Sequence, residues 1–333
     1  MNGYHLLMLT DHAAHSAENS LYALASAIHV QPDCLFLDIA SRSTPANAAF
    51  FAGDMESELA VVPLHEDLEF DEAQQYFADT THRTSLSDYD FIILRLPPPL
   101  SRAFTGALTA AFDERRIANR PSGIFETGSK EFLLHFPELC PPMALITNAD
   151  ELMAFSAQFP IVLKPLRSYS GKGIARVQDG QVDVDDQLME LPAFIRQWDK
   201  DEPYLGMQFL RNVDQGDKRI VVCNGEVLGA SLRLPRAGDW RCNVGQGGRS
   251  LPADITEGEM EIARVLYQPL YERGVVLFGF DTLVDDNGKR VLSEINATSI
   301  GGIKQMELQQ GRPILSRAAA LLMQYIRDSL ENS

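Results

Sequence analysis

Short apolar runs alternate with segments of helical spacing through the first third of the chain. The runs predict buried strands at residues 4–9, 34–39 and 91–96. Between and after them, residues 20–30 and 104–116 carry apolar side chains at helical spacing. Strands that alternate with helices favour an open, mainly parallel sheet. Residues 45–85 are acidic and show no clear period, so we predict no element there.

The pattern changes after the first lysine. All seven lysines lie at or after Lys130, and this shift favours a boundary near residues 119–123, where Asn-Arg-Pro-Ser-Gly predicts a loop. Further on, residues 161–165 and 174–177 are predicted strands. The Gly/Ser-rich segment 168–173 between them predicts a hairpin-like flap, because no helix follows it as in a Walker loop.

Two Asn-Gly pairs predict two-residue hairpin turns, since both residues tolerate positive φ. The first pair, Asn224-Gly225, joins predicted strands at 219–223 and 227–234. The second, Asn287-Gly288, joins predicted strands at 278–284 and 290–296. The final third of the chain therefore contains a largely antiparallel arrangement.

Two helices complete the predicted elements. Thr256 and Glu259 have the spacing of a capping box, which predicts a helix beginning there. That helix is expected to end near Arg273, because Gly274 favours termination. Residues 313–330 are apolar along one face and predict a terminal amphipathic helix.

Three oxygen-bearing side chains lie on the second hairpin. A two-residue turn places Asp281 directly opposite Glu294, and Asn296 lies on the same strand face as Glu294. Such hard oxygen ligands suit Mg²⁺. The alternative is that both acids lie on a solvated strand face. Apolar neighbours such as Phe278 and Phe280 favour a buried hairpin, where unpaired acids would be unfavourable.

Composition narrows the class of protein. The 333 residues, 45% hydrophobic and 23% charged, suit a globular enzyme of two or three packed units. No apolar run approaches the roughly 20 residues of a membrane span, and the start lacks the pattern of a signal peptide. The four cysteines are widely scattered, which is typical of a reduced, cytoplasmic protein.

The formal net charge of -17 argues against a nucleic acid partner. Residues 211–249 are an exception, because seven basic and four acidic side chains share that stretch. A locally basic segment in an acidic chain indicates a small anionic ligand. The alternative is a solvated basic face.

Several short segments occur in a particular order and spacing, with eight residues from Arg233 to Arg241 and two more to Asn243. They are residues 161–166, 216–219, 233–235, 241–243, 247–249, 279–281 and 294–299. With them, the chain from about residue 118 onward resembles the ATP-grasp enzymes, and the bacterial glutathione synthetases most closely. The resemblance implies an α/β (α+β) ATP-grasp fold. It divides the chain into a Rossmann-like N-terminal domain (1–120), a first lobe with the flap (121–200) and a second lobe with the metal site (201–333).

The resemblance also implies roles for individual residues. Those expected to contact ATP are Lys130, Lys164, Ser170, Gly171, Gly173, Met207, Gln208, Phe209, Leu210, Asp217 and Arg219. Those expected to stabilise anionic groups are Arg233, Arg241 and Asn243. Those expected to bind Mg²⁺, with Mn²⁺ as an alternative, are Asp281, Glu294 and Asn296.

Other interpretations stand beside these roles. Lysine is almost never fully buried without a partner, so Lys164 within an apolar strand favours function. Lys130 alone is compatible with a surface position, and Arg241 and Arg249 with a solvated Gly-rich loop. For Lys218 the preferred interpretation is a surface charge. The seven histidines show no metal-binding spacing, and none is assigned a catalytic role.

An enzyme of the resembled family would form an acyl phosphate from ATP and an acid, and an amine would then displace phosphate to give an amide. The implied substrates are γ-glutamylcysteine and glycine. One alternative is a ligase for another acid and amine, or for a peptide, and another is a non-catalytic ATP-binding interaction protein. The resemblance also implies association of subunits.

The substrate remains open because four segments depart from the family pattern. Asp11-His12 stands in place of Asp-Pro, and residues 18–20 stand in place of Lys-Asp-Ser. Leu96 stands where Lys-Asp-Pro-Pro begins, although Arg95 is present. Residues 300–304 replace Pro-Thr-Cys-Ile-Arg.

Overall fold

Three sheets form the framework of the molecule. The computed structural model describes residues 3–64, 69–80, 82–168, 171–185, 187–198, 202–236, 240–241 and 249–331. Within these ranges, no helix has the length and apolar character needed to cross a membrane.

The first sheet has the strand order β4-β3-β2-β1-β5-β6. Its strands are β1 (Tyr4–Thr10), β2 (Cys34–Ser41), β3 (Leu59–Pro63), β4 (Arg83–Thr84), β5 (Phe91–Leu94) and β6 (Ile117–Ala118). β1 pairs in parallel with β2 and β5, and β5 with β6, which confirms the mainly parallel sheet. The helices of this part are α1 (Leu21–His29), α2 (Ala48–Phe51), α3 (Gln75–Ala78) and α4 (Arg102–Ala111).

The acidic region 45–85, where no element was predicted, contributes two strands to the first sheet. β3 is buried over four of its five residues and pairs antiparallel with β2, and β4 extends the same edge. β3 is too short, and its surroundings too acidic, for its hydrophobic pattern to be recognised in the sequence. Pairing with β2 stabilises the strand.

The second sheet is antiparallel, in the order β11-β10-β9-β8-β12-β7. Its strands are β7 (Met143–Ile146), β8 (Ile161–Pro165), β9 (Ala175–Gln178), β10 (Gln181–Val184), β11 (Gln187–Glu190) and β12 (Tyr204–Gln208). β8 and β9 pair antiparallel, which confirms the hairpin on either side of the flap. The helices near it are α5 (Pro121–Thr127), α6 (Ala149–Ser156) and α7 (Leu191–Gln197).

The predicted loop at 119–123 is wrong in its second half, because α5 begins at Pro121. Proline is well suited to the first helical position, where its missing N–H leaves no hydrogen bond unmade. Asn119 anchors this region to the rest of the molecule. Its side chain donates to the carbonyls of Leu277 and Ala297 and accepts from the N–H groups of Val276 and Leu277.

The third sheet has the order β15-β14-β13-β16-β17. Its strands are β13 (Asp217–Cys223), β14 (Glu226–Leu234), β15 (Arg249–Pro252), β16 (Leu277–Val284) and β17 (Arg290–Asn296). The first Asn-Gly turn is confirmed, because Cys223 pairs with Glu226 and both turn residues have positive φ. The last helices are α8 (Glu257–Glu272), α9 (Ile303–Gln310) and α10 (Ile314–Glu331). The capping box of Thr256 and Glu259 is also confirmed.

On the second hairpin Asp281 faces Glu294, as predicted, although the predicted two-residue turn is wrong. Asp285 N–H donates to Lys289 O, and Gly288 has a φ of 83°, so the loop has one residue more than expected. This is a common three-residue hairpin loop. Next to the loop, the paired residues are therefore displaced by one position from the prediction. A β-bulge between Asp281 and Thr282 restores the predicted register.

Lys218 is buried, which corrects the prediction that it lies on the surface. Its side chain on β13 is 8% exposed. Its Nζ donates to Glu259 Oε2 and to Asp254 O, both at 2.8 Å. Burial tends to raise the pKa of the Glu259 carboxyl, but hydrogen bonds from Lys218 and Thr256 outweigh it and hold that pKa low. Lys218 is therefore a structural ion partner on the side of the strand opposite Asp217 and Arg219.

We expect Lys218→Met to lower the free energy of unfolding by about 3 kcal/mol, because the fully buried Glu259 loses its hydrogen-bonded cation and is left with Arg290 at 3.8 Å. Urea denaturation followed by circular dichroism measures the change. Arg264→Gln is the matched control, because that ion pair on α8 is exposed and its loss is expected to cost under about 1 kcal/mol. Equal midpoints for the two variants would contradict a structural role for Lys218.

Candidate functional site

A cleft of about 330 Å³ separates the second sheet from the third. It brings together most of the residues that the sequence predicted for a nucleotide site. The predicted residues that line it are Lys130, Lys164, Gly171, Met207, Gln208, Phe209, Leu210, Asp217, Arg219, Arg233, Arg241, Glu294 and Asn296. Gly173 adjoins the lining, Asp281 is buried beneath it, and Ser170 and Asn243 lie outside the described residues.

Part of the cleft lining is apolar. Val162, Ile174, Met207 and Leu283 contribute apolar side chains from both sides of the cleft. Sequence reasoning missed three of these side chains. Val162 lies two residues before Lys164 on the same strand face, so strand alternation could have identified it. Ile174 and Leu283 come from different sheets, and only the tertiary structure brings them together.

Two lysines lie at the polar part of the cleft. Lys130 Nζ donates to Ser168 O at 2.6 Å and lies 3.8 Å from Glu294 Oε1. Burial lowers the pKa of Lys130, while the nearby Glu294 carboxylate opposes that shift. Lys164 Nζ donates to Ser293 O at 3.0 Å, across the cleft from its own strand. Both ammonium groups thus bridge elements on either side of the opening.

Two carboxylates and two guanidinium groups alternate across three neighbouring strands. Arg233 donates to both oxygens of Asp217, at 2.7 and 2.6 Å, and also to Asp281 Oδ2 at 2.7 Å. Arg219 donates to both oxygens of Asp281, at 2.8 and 2.7 Å. Strand pairing creates this contact, because Asp217 lies opposite Arg233 and Arg219 lies opposite Asp281. We call these four side chains the buried charge network.

The two carboxylates of the network differ in their acidity. Burial raises the pKa of Asp217 to about 6, against the opposing charge of Arg233. Burial would likewise raise the pKa of Asp281, but Arg219 and Arg233 outweigh it and hold that pKa well below its usual range. The pKa of Arg233 is raised because Asp281 and Asp217 outweigh the effect of its burial. Asp281 is therefore the permanently charged centre of the network.

Residues 129–311 match the model of a family described as the prokaryotic glutathione synthetase ATP-grasp domain. The chain belongs to this family. A glutathione synthetase of Brucella melitensis is 32% identical over 236 residues, which are 70% of this chain and 72% of the relative. One of Prochlorococcus marinus is 34% identical over 243 residues, 72% of this chain and 76% of the relative.

A solved structure supports the ATP-grasp fold along the whole chain. The crystal structure of a D-cycloserine synthetase has a TM-score of 0.66 at 13% identity, and the match covers 97% of this chain and 99% of that one. At this identity the likeness concerns the fold. Together with the family match, it makes the chain an ATP-dependent ligase that forms C–N bonds.

The charges of this ATP-grasp cleft suit a nucleotide. Its cations are Lys130, Lys164, Arg219 and Arg233, with Arg241 also in the lining, and its acids are Asp217, Asp281 and Glu294. Cations therefore exceed acids, so a polyphosphate would meet a net positive surface. The apolar side chains of the lining suit a base and the lysines suit phosphates, so the residues present fit a nucleotide.

The three predicted metal ligands are not equivalent in the structure. Glu294 has a side chain that is 34% exposed and lines the cleft with Asn296. Asp281 Oδ2 already accepts from Arg219, Arg233 and Asn296, whereas a single hydrogen bond, from Arg219, is recorded at Oδ1 within the described residues. Asp281 can therefore offer a remaining lone pair of Oδ1, while Glu294 can offer both oxygens. These donors fit a hard cation such as Mg²⁺.

We expect Asp281→Asn and Glu294→Gln to differ sharply in stability. Asp281→Asn leaves two guanidinium groups without their buried carboxylate, and we expect a loss of about 3–5 kcal/mol in the free energy of unfolding. Glu294→Gln removes a partly exposed charge and should cost under about 1 kcal/mol. Urea unfolding of both variants tests this, and equal losses would rule out the distinction.

Proposed function

We propose that this ligase binds Mg-ATP between its second and third sheets, activates a substrate carboxylate as an acyl phosphate and couples it to an amine, as a glutathione synthetase would with γ-glutamylcysteine and glycine. The observation that carries the proposal is the cleft itself, whose lining combines apolar side chains with several cations. The two relatives named glutathione synthetase support this choice of acid and amine.

The two lysines would bind the phosphate chain. Their ammonium groups reach the cleft from neighbouring segments, because Lys130 N–H donates to Leu166 O close to Lys164. Each ammonium is held by a carbonyl, of Ser168 or of Ser293. The flap would approach the phosphates with backbone N–H groups. Gly171 and Gly173 both have positive φ, a conformation that glycine adopts without strain.

Glu294, Asn296 and Oδ1 of Asp281 would hold Mg²⁺, with Mn²⁺ as the alternative. When bound, the metal would neutralise phosphate charge. The chain's own contribution is placement: pairing with Gly279 orients Asn296, and pairing with Asp281 orients Glu294. Such preorganised charges need little rearrangement during the reaction.

The chain needs no nucleophile of its own for this chemistry. A carboxylate oxygen of the acid forms a bond to the γ-phosphorus, and ADP leaves. The amine nitrogen then attacks the acyl carbon, phosphate leaves, and the nitrogen loses a proton. Arg233 and Arg241 line the cleft and would offset the negative charge that develops in both steps. Positioning and electrostatics supply the rate enhancement.

Three contacts favour a second candidate, a ligase for a different acid and amine. They bring together three of the four segments that depart from the family pattern. Lys304 N–H donates to Ser20 Oγ at 3.1 Å, and Gln305 donates to Glu18 O at 2.7 Å. Arg95, which precedes Leu96 and is buried, donates to Ile300 O at 2.6 Å. A substrate surface formed by these segments would differ from that of the relatives.

A panel of acids and amines scored for ADP formation separates the candidates. We expect ADP only when an acid and its amine are both present, with γ-glutamylcysteine and glycine as the leading pair. Activity with another pair alone would select the second candidate. Nucleotide binding without ADP from any pair would indicate a non-catalytic ATP-binding protein.

For the active pair, Glu294→Gln should lower kcat by at least about 100-fold, because a ligand of the proposed metal is lost. Its thermal stability should stay close to that of the wild type, which excludes unfolding as the cause. The control is Glu261→Gln on α8, an exposed carboxylate outside the cleft, which should leave kcat unchanged. Wild-type turnover by Glu294→Gln would contradict the metal site.

A further inference from the structure

A second, smaller cavity of about 160 Å³ lies directly beside the nucleotide cleft. The two cavities share a wall built from consecutive residues. Ser129 and Arg167 line the small cavity, and their chain neighbours Lys130 and Ser168 line the cleft. Since consecutive residues lie within about 4 Å of each other, a group bound in the small cavity would approach the phosphate end of the cleft.

The shared wall is held in place by hydrogen bonds. Lys130 N–H donates to Leu166 O at 2.9 Å, and Lys130 Nζ donates to Ser168 O at 2.6 Å. These contacts join the 129–130 segment to the 166–168 segment along their length. Ser129 and Arg167 are therefore fixed side by side on the outer face of the wall.

The small cavity combines positive charge with an apolar floor. Arg102 and Arg167 line it, and neither guanidinium pairs with a carboxylate in the described parts of the chain. Arg102 lies 4.2 Å above the ring centroid of Phe125, which fixes the guanidinium while its N–H edge stays available. Ile124 and Pro99 supply apolar surface.

A buried polar atom in the same cavity lacks a partner. Ser129 is 8% exposed, and its Oγ has no hydrogen bond within the described residues. Buried hydroxyl groups are nearly always satisfied, so an unpartnered one in a cavity wall indicates a ligand atom. With two guanidinium groups nearby, that atom would belong to an anion.

We propose that this cavity is a subsite for a carboxylate that is not activated in the reaction, carried by one of the two organic substrates. Arg102 and Arg167 bind the carboxylate oxygens, Ser129 Oγ donates to one of them, and Phe125 with Ile124 contacts the adjoining carbon atoms. The inference rests on the proposed function, since it assumes that the neighbouring cleft holds the reacting phosphate. The carboxylate belongs either to the amine substrate, such as glycine, or to the acid.

The test compares KM values for Arg167→Gln, Arg102→Gln and the wild type at saturating Mg-ATP, with the active pair from the panel. Loss of one charged hydrogen-bonding partner should raise the KM for the substrate that carries the carboxylate about tenfold or more. The KM for ATP should change by less than about twofold, because neither arginine lines the cleft. Arg264→Gln, with the same charge change at an exposed site, should leave all KM values unchanged.

A carboxamide analogue identifies the source of the carboxylate. If the amine carries it, glycinamide should bind the wild type as weakly as glycine binds Arg167→Gln, and the substitution should not weaken glycinamide further. If the acid carries it, only the KM for the acid should rise. KM values equal to those of Arg264→Gln for both substrates would overturn the subsite.

The inference and the proposed function can fail separately. Wild-type turnover with unaltered KM values in the arginine variants would overturn the subsite alone. An absence of ADP formation from every pair would overturn the proposed function. In that case saturation-transfer NMR with glycine, glycinamide and γ-glutamylcysteine still decides the subsite. Signals weakened by Arg167→Gln for a carboxylate probe but not for glycinamide would support it, and equal signals for both proteins would overturn it.

Discussion

The buried charge network on β14, β13 and β16 constrains the whole nucleotide site. In this network Asp281 is buried and the other three side chains are 13–21% exposed, and charges packed so closely are tolerable only if each meets opposite charge with good hydrogen-bond geometry. Asp217, Arg233, Asp281 and Arg219 satisfy this by alternating across three strands. A shift of any of these strands by one residue would place like charges together or move a charge to the opposite face. The network therefore fixes the register on which the ligand positions depend.

Charged side chains lie on both faces of β13. On one face of β13, Asp217 and Arg219 line the cleft, whereas Lys218 on the other face pairs with the buried Glu259. Alternation along one strand thus separates side chains that line the cleft from one that pairs with a buried acid behind the sheet. Glu259 also caps α8 and accepts a hydrogen bond from Thr282, so the helix is attached to the back of the sheet that carries the site.

The carboxylates of Asp281 and Glu294 differ in how many hydrogen bonds they already accept and in how far they face the cleft. Asp281 accepts hydrogen bonds from two guanidinium groups and keeps the arginines in place, while Glu294 faces the opening beside Lys130. A bound phosphate would compete with the carboxylates for the cations, while the paired strands would keep the network side chains in place. The cationic side cavity beyond Lys130 extends this positive surface to the outer face of the same wall.

The sequence by itself determined the local elements and the facing of Asp281 and Glu294, because strand alternation and turn chemistry act over a few residues. Even there, two errors offset each other: the loop is longer than predicted, and a bulge restores the register. The sequence did not reveal that Lys218 is buried, since a charge pattern does not show which helix covers a strand. Nor did it reveal the apolar side chains that line the cleft or the cavity of Arg102 and Arg167, whose residues are distant along the chain. Those features were decided by the tertiary structure, because only packing of separate sheets and helices determines which side chains lose water together.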